Sequence, residues 1–418
     1  MVGVTVGGGI FGLPAQAADV LGPSAILAYL ICAAVMGLVG LCLAEAGSRV
    51  AATGGLYSYV DAAFGKTAAT VVGTLLIVAD GVGPNAAVAV LLVSTVGVVF
   101  PAFASPVPRA LFLVGYYVLL VALNIRGVRY GVALSQLLSV MKLLPLVLLV
   151  VLGVPHISVA NLAWDGFPNL VALGHTAVLL TFAFMGFETA LGACGEVKDP
   201  VRSVPRAIFG ALVTCAALFV GLQLVAQGVL GAALKTTGTS ALIETARAIF
   251  GPLGAQLIAW AMIISTAGLV ASDAIGSPRA VKAMADDGVL PRVIGNVHAV
   301  HRTPANAIVV YHAIALLLAL SGTFVYLAVF SAAGVLLMYL ICCLAVLRLR
   351  QRSIVLDRPP FVARGGAAVP LVASAGIAML LATLSASELL ALIGLVAFAL
   401  LLRLVIRPKS LSLGGSKP

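Results

Sequence analysis

Four ionisable residues stand inside long apolar runs of this chain: Asp80, Lys142, Glu188 and Asp273. An ionised side chain at a bilayer centre costs about 2.5–3.5 kcal/mol even on insertion scales, so each is expected to face a cavity or a partner. Ionised together they would set three negative charges against one positive, which is unstable unless a carboxyl takes a proton or a cation joins the site. A structural pair between Lys142 and one acid is the plain reading. Four such residues together favour a proton-linked or cation-accepting cavity.

Two interruptions lie close to these charges in the pattern. The first apolar run contains Gly7, Gly8 and Gly9, followed by Ile10, Phe11, Gly12, Leu13 and Pro14. Each glycine weakens a helix by roughly 1 kcal/mol, and the opened backbone is tolerated against a polar cavity but not against lipid. The sixth run is broken at Met185-Gly186-Phe187-Glu188, followed by Ala193, Cys194 and Gly195. Exposed amides at a half-helix N-terminus attract a carboxylate, and freed carbonyls attract an ammonium group. A zwitterion suits such a cavity.

The elements that must position these groups are membrane spans. The 418 residues are 62% apolar and 9% charged, with a mean hydropathy of +1.18. Soluble domains run near 45–50% apolar and about 25% charged, so a cytosolic enzyme, a disordered chain and a nucleic-acid reader are excluded. Apolar runs bounded by charge, Pro or Gly begin near Met1, Ser24, Thr67, Arg109, Gly131, Ala172, Pro205, Pro252, Pro304, Thr323, Ala368 and Glu388. They predict an all-α polytopic membrane protein of about 12 helices. The third run, Thr67 to Phe100, is long enough to be strongly tilted.

Threading these spans with the first starting inside puts all but four of the 24 Lys and Arg on the cytoplasmic side. Arg109, Lys235 and Arg247 fall outside and Lys142 lies within a span. The positive-inside rule then places both termini in the cytoplasm, and a plasma (inner) membrane location is expected. The net charge of +10 therefore reads as topology, with lipid as the partner and no nucleic acid. Interrupted helices in first and sixth position suggest inverted repeats of five helices around a midplane site, which makes the helices carrying Asp80 and Asp273 equivalent. Glu45 is read as ending the second helix near the cytoplasm.

Other chemistry is absent from the pattern. The six Cys lack metal-ligand spacing and read as packing, so no metal and no cofactor are expected. His298 and His301 fall in a cytoplasmic loop and His312 inside the ninth helix, with surface or packing roles. No Gly-x-x-x-x-Gly-Lys-Ser/Thr loop occurs, so no nucleotide is expected to supply energy. Asp80 precedes Gly81 but lacks the Gly-x-Gly before Asp that intramembrane aspartyl proteases carry, so no enzyme is expected. Ala15-Gln16-Ala17 mimics a signal cleavage site, but no basic residue precedes the apolar run.

Several stretches resemble the amino acid-polyamine-organocation family of transporters over almost the whole chain. The most specific is Phe182-Ala183-Phe184-Met185-Gly186-Phe187-Glu188, continued by Gly195-Glu196-Val197-Lys198-Asp199-Pro200 and Pro205-Arg206-Ala207-Ile208. Gly54-Gly55-Leu56-Tyr57-Ser58-Tyr59, Asn124-Ile125-Arg126-Gly127, and Ser277-Pro278-Arg279 through Ala285-Asp286-Asp287-Gly288 to Pro291 are also similar. The resemblance implies a leucine-transporter-like fold: a first repeat over 1–153, a second over 172–350, two C-terminal helices over 368–407 and a cytoplasmic tail over 408–418. It implies secondary active transport of an amino acid or amine by alternating access.

By the same resemblance, Gly7, Gly8 and Gly9 hold the substrate carboxylate, while carbonyls near Thr5, Phe182 and Met185, beside Gly186, take the ammonium group. Phe182 matches an aromatic lid, and Asn85 matches a substrate-contacting residue of the arginine/agmatine antiporter. Lys142 resembles a lysine that replaces a sodium ion in proton-coupled members, and Glu188 a gating glutamate. Protons are thus the expected coupling ion, with Lys142, Glu188 and Asp80 as coupling or gating residues. Exchange without net proton coupling and a non-transporting sensor are the alternatives.

Three departures from the family matter. Gly8 replaces a common Ser, Asp273 stands where the antiporter has an aromatic residue, and Asp80 is an added acid. The two aspartates suggest cationic amino acids or related amines among the substrates. About six residues precede Gly7, where half a bilayer core takes about ten. The expectation is either a start upstream or a tendency toward inward-open states.

Overall fold

The computed structural model describes residues 2–50, 55–127, 132–164, 166–188, 200–286, 288–352 and 360–405. Gly54, Arg129, the 189–199 stretch with Cys194 and Gly195, Asp287 and the 408–418 tail lie outside the described residues. The described elements are helical. In chain order they are α1 (Val2–Thr5), α2 (Gly9–Gly12), α3 (Pro14–Leu21), α4 (Ala25–Arg49), α5 (Gly55–Phe64), α6 (Lys66–Leu75), α7 (Gly83–Val99) and α8 (Pro106–Ile125). Then follow α9 (Val132–Gly153), α10 (Leu170–Phe184), α11 (Pro200–Leu230), α12 (Ala241–Asp286), α13 (Ala305–Ser321), α14 (Phe324–Gln351), α15 (Ala368–Leu381) and α16 (Ala386–Val405).

Local chemistry sets many of these ends. Pro14 opens α3, where its missing N–H has no helical partner to lose. Asn169 caps α10 by accepting from Val171 N at 2.8 Å and Ala172 N at 3.2 Å, and Thr323 accepts from Tyr326 N at the start of α14. Gly251 (φ 71°, ψ −162°) is not helical and interrupts the α12 stretch just before Pro252, so two helices meet there at a kink and the second starts where the apolar run was read to begin. Between α6 and α7 the chain winds as a π-helical turn, Leu76–Val82, rather than as regular α-helix. Asp80 sits in that turn.

Among the described residues seven helical stretches are long and apolar enough to cross a membrane: Pro14–Arg49, Lys66–Val99, Pro106–Ile125, Ser203–Thr236, Gly238–Asp286, Phe324–Gln351 and Ala386–Val405. Met141–His156, Leu170–Phe184, Ala305–Ser321 and Ala368–Leu381 are shorter apolar helices. Burial divides them into an inside and an outside. The Lys66–Val99 stretch and α14 are mostly buried, whereas α8 and α16 leave most of their length uncovered. Leu111, Val118, Leu390 and Leu404 are exposed there, as apolar side chains are where hydrocarbon replaces water. The central α14 packs against α4, α7, α10 and α15, and α12 packs against α7 and α9.

Candidate functional site

The first helix breaks where the three glycines stand. α1 ends at Thr5, Val6 to Gly8 form a bend, and α2 resumes at Gly9. Gly7 N turns back onto Thr5 O at 2.8 Å. Gly8 caps α2 without a side chain, and Phe11 N donates to Gly8 O at 3.2 Å, so the amides left for a ligand are those before Phe11. Close packing explains the glycines as well: a Cβ at Gly8 would meet Val88 at 2.9 Å and Thr266 at 3.2 Å. One at Gly9 would meet the Phe182 ring at 2.9 Å, and one at Gly12 the Phe324 ring at 2.8 Å. Phe182 and Phe324 pack edge to face with centroids 5.8 Å apart. Phe182 thus lies directly over the break, and the walls beside it are apolar. The hydroxyls of Thr5 and Ser265 are buried without a hydrogen-bond partner among the described residues.

The sixth helix breaks at Met185 and Gly186. α10 ends at Phe184, Met185 is extended (ψ 156°), and Gly186 has φ +98°, a conformation an L side chain adopts only under strain. Glu188 folds back on the break, and Gly186 N donates to both its oxygens at 3.0 and 3.1 Å. Tyr339 Oη on α14 donates to Glu188 Oε2 at 2.7 Å. Glu188 therefore braces the interruption locally and ties it to the central helix.

The three acids converge. The Asp80 carboxyl lies within hydrogen-bonding reach of Glu188, with Asp273 its further charged neighbour. Asn85 Nδ2 donates to Asp273 Oδ2 at 2.7 Å, Tyr311 Oη donates to the same oxygen, and Ser277 Oγ donates to Oδ1. Tyr117 Oη in turn donates to Asn85 Oδ1 at 2.8 Å. This network joins α7, α8, α12 and α13 through neutral donors. Both ends of the Asn85 amide are engaged inside the protein. A carboxyl pair in contact holds one shared proton more readily than two negative charges.

Lys142 stands apart from the acids. It is buried on α9, which packs against α1 and α12. Among the described residues it joins no ion pair, so the plain expectation of a Lys142–acid pair is not met there. Tyr117, Tyr311, Ser277 and Tyr339 were not legible as site residues. Their signal would have been the need of each buried carboxyl for a donor.

Glu45 is more than a helix end. Its side chain is 1% exposed, and its oxygens accept from Arg49 Nε and Nη2, from Arg350 Nε and Nη2 at 2.7 and 2.6 Å, and from Ala363 N at 3.3 Å. α4, α14 and the segment before α15 are fastened at this one carboxylate.

The family model described as amino acid permease matches residues 1–402. The chain belongs to the amino acid permease family. Among its curated relatives is the serine/threonine exchanger SteT of Bacillus subtilis (strain 168), 28% identical over 363 residues that cover 84% of this chain and 82% of SteT. The branched-chain amino acid permease BcaP of Lactococcus lactis subsp. cremoris (strain MG1363) is 27% identical over 390 residues, covering 84% and 80%. A methylthioribose transporter of Bacillus subtilis (strain 168) is 26% identical over 328 residues, covering 72% and 68%. This permease is accordingly a multi-pass membrane protein whose relatives carry small molecules, amino acids chief among them.

Proposed function

We propose that this permease is a secondary active transporter of amino acids, coupled to protons, working by alternating access around the breaks in the first and sixth helices. The observation that carries the reading is the convergence of Asp80 with Glu188, at the break in the sixth helix, and with Asp273, where the donors to Glu188 and Asp273 among the described residues are neutral. In this reading the fold has twelve spans with a five-plus-five inverted repeat (1–153 and 172–350), followed by the helices of 368–407. Both termini lie in the cytoplasm of a cell whose plasma membrane holds the protein.

The substrate carboxylate meets the amides of Gly8 and Gly9, because Gly7 N already donates to Thr5 O at 2.8 Å, and its ammonium group meets carbonyls near Thr5, Phe182, Met185 and Gly186. Phe182 closes over it. The apolar wall of Val88, Phe182 and Phe324 supports an uncharged side chain, as the names of SteT and BcaP also do. Asp273 then acts with Asp80 and Glu188 on the proton, because its oxygens are already supplied by Asn85, Tyr311 and Ser277. Asn85 holds Asp273 rather than the substrate. Lys142, on the α9 that packs against the first half-helix, supplies the positive charge that a bound cation would otherwise supply there.

SteT is named an exchanger, which favours a second reading of amino acid exchange without net proton movement. Uptake of serine, leucine, lysine and arginine at two external pH values, in wild type and Asp273→Asn, separates the roles. Loss of acid stimulation with unchanged preference supports the proton role. A switch of preference from lysine to neutral amino acids makes Asp273 a substrate receptor. Unchanged preference and unchanged pH dependence remove it from both.

A further inference from the structure

Three arginines that read as topology signals meet in one place. A cavity of about 410 Å³ is lined by Arg126 at the end of α8, Arg279 on α12, and His301 and Arg302 in the loop before α13, with Asn124 and Thr303 beside them. That volume lies within the range of small-molecule sites. Its described lining holds no carboxylate. Asp286, further along α12, is taken by Lys282, and Arg126, Arg279 and Arg302 join no ion pair among the described residues.

The three arginines and His301 are exposed, as inner-face charges are, but the backbone holds the helix ends and loop that carry them around one cavity. Thr303 Oγ1 donates to Ile125 O at 2.7 Å and fastens the loop to the end of α8. His298 Nδ1 accepts from Val300 N and His301 N, and Arg302 N donates to His298 O at 3.0 Å. Arg302 itself is the one non-glycine among the described residues with positive φ, 56°. Such a conformation is strained for an L side chain and persists where the surroundings over-determine it. Pro304 at the start of α13 also lines the cavity, so the positive end of that 17-residue helix faces it.

We propose that this pocket binds a phosphate-bearing anion. Guanidinium groups fit phosphate oxygens in pairs, and clustered arginines with no acid among them are the chemistry that selects phosphate. A lipid phosphate headgroup and a free phosphate share that chemistry, and basic pockets between spans on the inner side of a membrane take such headgroups. Arg279 follows Asp273 by six residues on α12, about 9 Å along a helix, so an occupant clasps the ends of α8, α12 and α13 next to the acid network. The inference holds whether or not protons drive transport.

The test uses the full chain purified in neutral detergent. Thermal unfolding is followed with inorganic phosphate against chloride at equal ionic strength, and native mass spectrometry compares retention of phosphatidylglycerol with phosphatidylcholine. Wild type, Arg126→Gln/Arg279→Gln/Arg302→Gln, Arg302→Gln alone and the remote control Lys235→Gln/Arg247→Gln are compared. A phosphate-dependent rise in melting point identifies free phosphate as a source, and selective phosphatidylglycerol retention alone identifies the lipid headgroup. The affinity read from either signal should weaken about tenfold for each arginine removed and persist in the control. If the triple variant does not fold, the tenfold loss in Arg302→Gln carries the test. Neither signal in wild type, or equal signals in wild type and the arginine variants, overturns the proposal.

Discussion

Replacing Glu45 by Gln should destabilise the protein more than any other single charge neutralisation outside the three-acid network. The variant keeps the size of the side chain but leaves the Arg49 and Arg350 guanidiniums facing a neutral amide, one of whose ends is itself a donor. Arg49 is 7% exposed and Arg350 19%, so neither charge is restored to water. Removing one partner of a buried ion pair costs about 3–5 kcal/mol, and the partial exposure of Arg350 places the value near about 3 kcal/mol. Unfolding entropy of about 2.1 cal/mol/K per residue gives roughly 1 °C per kcal/mol for a chain of 418 residues. The melting point in detergent should therefore fall by about 3 °C. Glu244→Gln, which breaks an exposed pair with Arg247 (33% and 49% exposed), should change it by less than about 1 °C. In the double variant Glu45→Gln/Arg350→Gln the losses should be less than additive, because the second change removes the charge stranded by the first. A Glu45→Gln melting point indistinguishable from wild type would refute the claim that this carboxylate fastens α4 to α14.

Two further substitutions probe the break in the sixth helix. Gly186→Ala forces a side chain onto a backbone with φ +98°; it should cost about 1–2 kcal/mol and lower the melting point accordingly, with amino acid uptake reduced. Tyr339→Phe removes the 2.7 Å bond to Glu188 without opening a cavity. It should destabilise by about 1.5–3 kcal/mol if the acceptor is ionised, and by about half that if it is protonated, so its effect on melting should shrink as pH falls.

Local features were legible in the residue pattern. Gly7 to Gly9 and Gly186 announce broken helices because a missing Cβ acts on its own backbone, and the helix starts at Ala25, Lys66 and Ala368 lie next to the residues that mark them. Asp80, Glu188 and Asp273 stood out because a charge in an apolar run is rare. Their partners did not stand out. Asn85 meets Asp273 across 188 positions of sequence, and Arg350 meets Glu45 across 305; a Tyr or an inner-face Arg is ordinary in a membrane helix until its neighbour is known. The π-helical turn that carries Asp80 leaves no mark in hydropathy, since it adds a residue to a turn without altering composition. For the same reason Arg126, Arg279 and Arg302 counted as three separate topology charges until the ends of α8, α12 and α13 were seen to share one cavity.

Uptake of labelled serine and leucine into proteoliposomes, with the outside acidified against an alkaline interior, tests the transport mechanism directly. Accumulation above equilibrium that collapses when a protonophore removes the gradient is the result expected of proton-coupled transport. Uptake only in vesicles preloaded with unlabelled amino acid, indifferent to the gradient, would contradict proton coupling and leave exchange. Binding without uptake in either condition would contradict transport altogether.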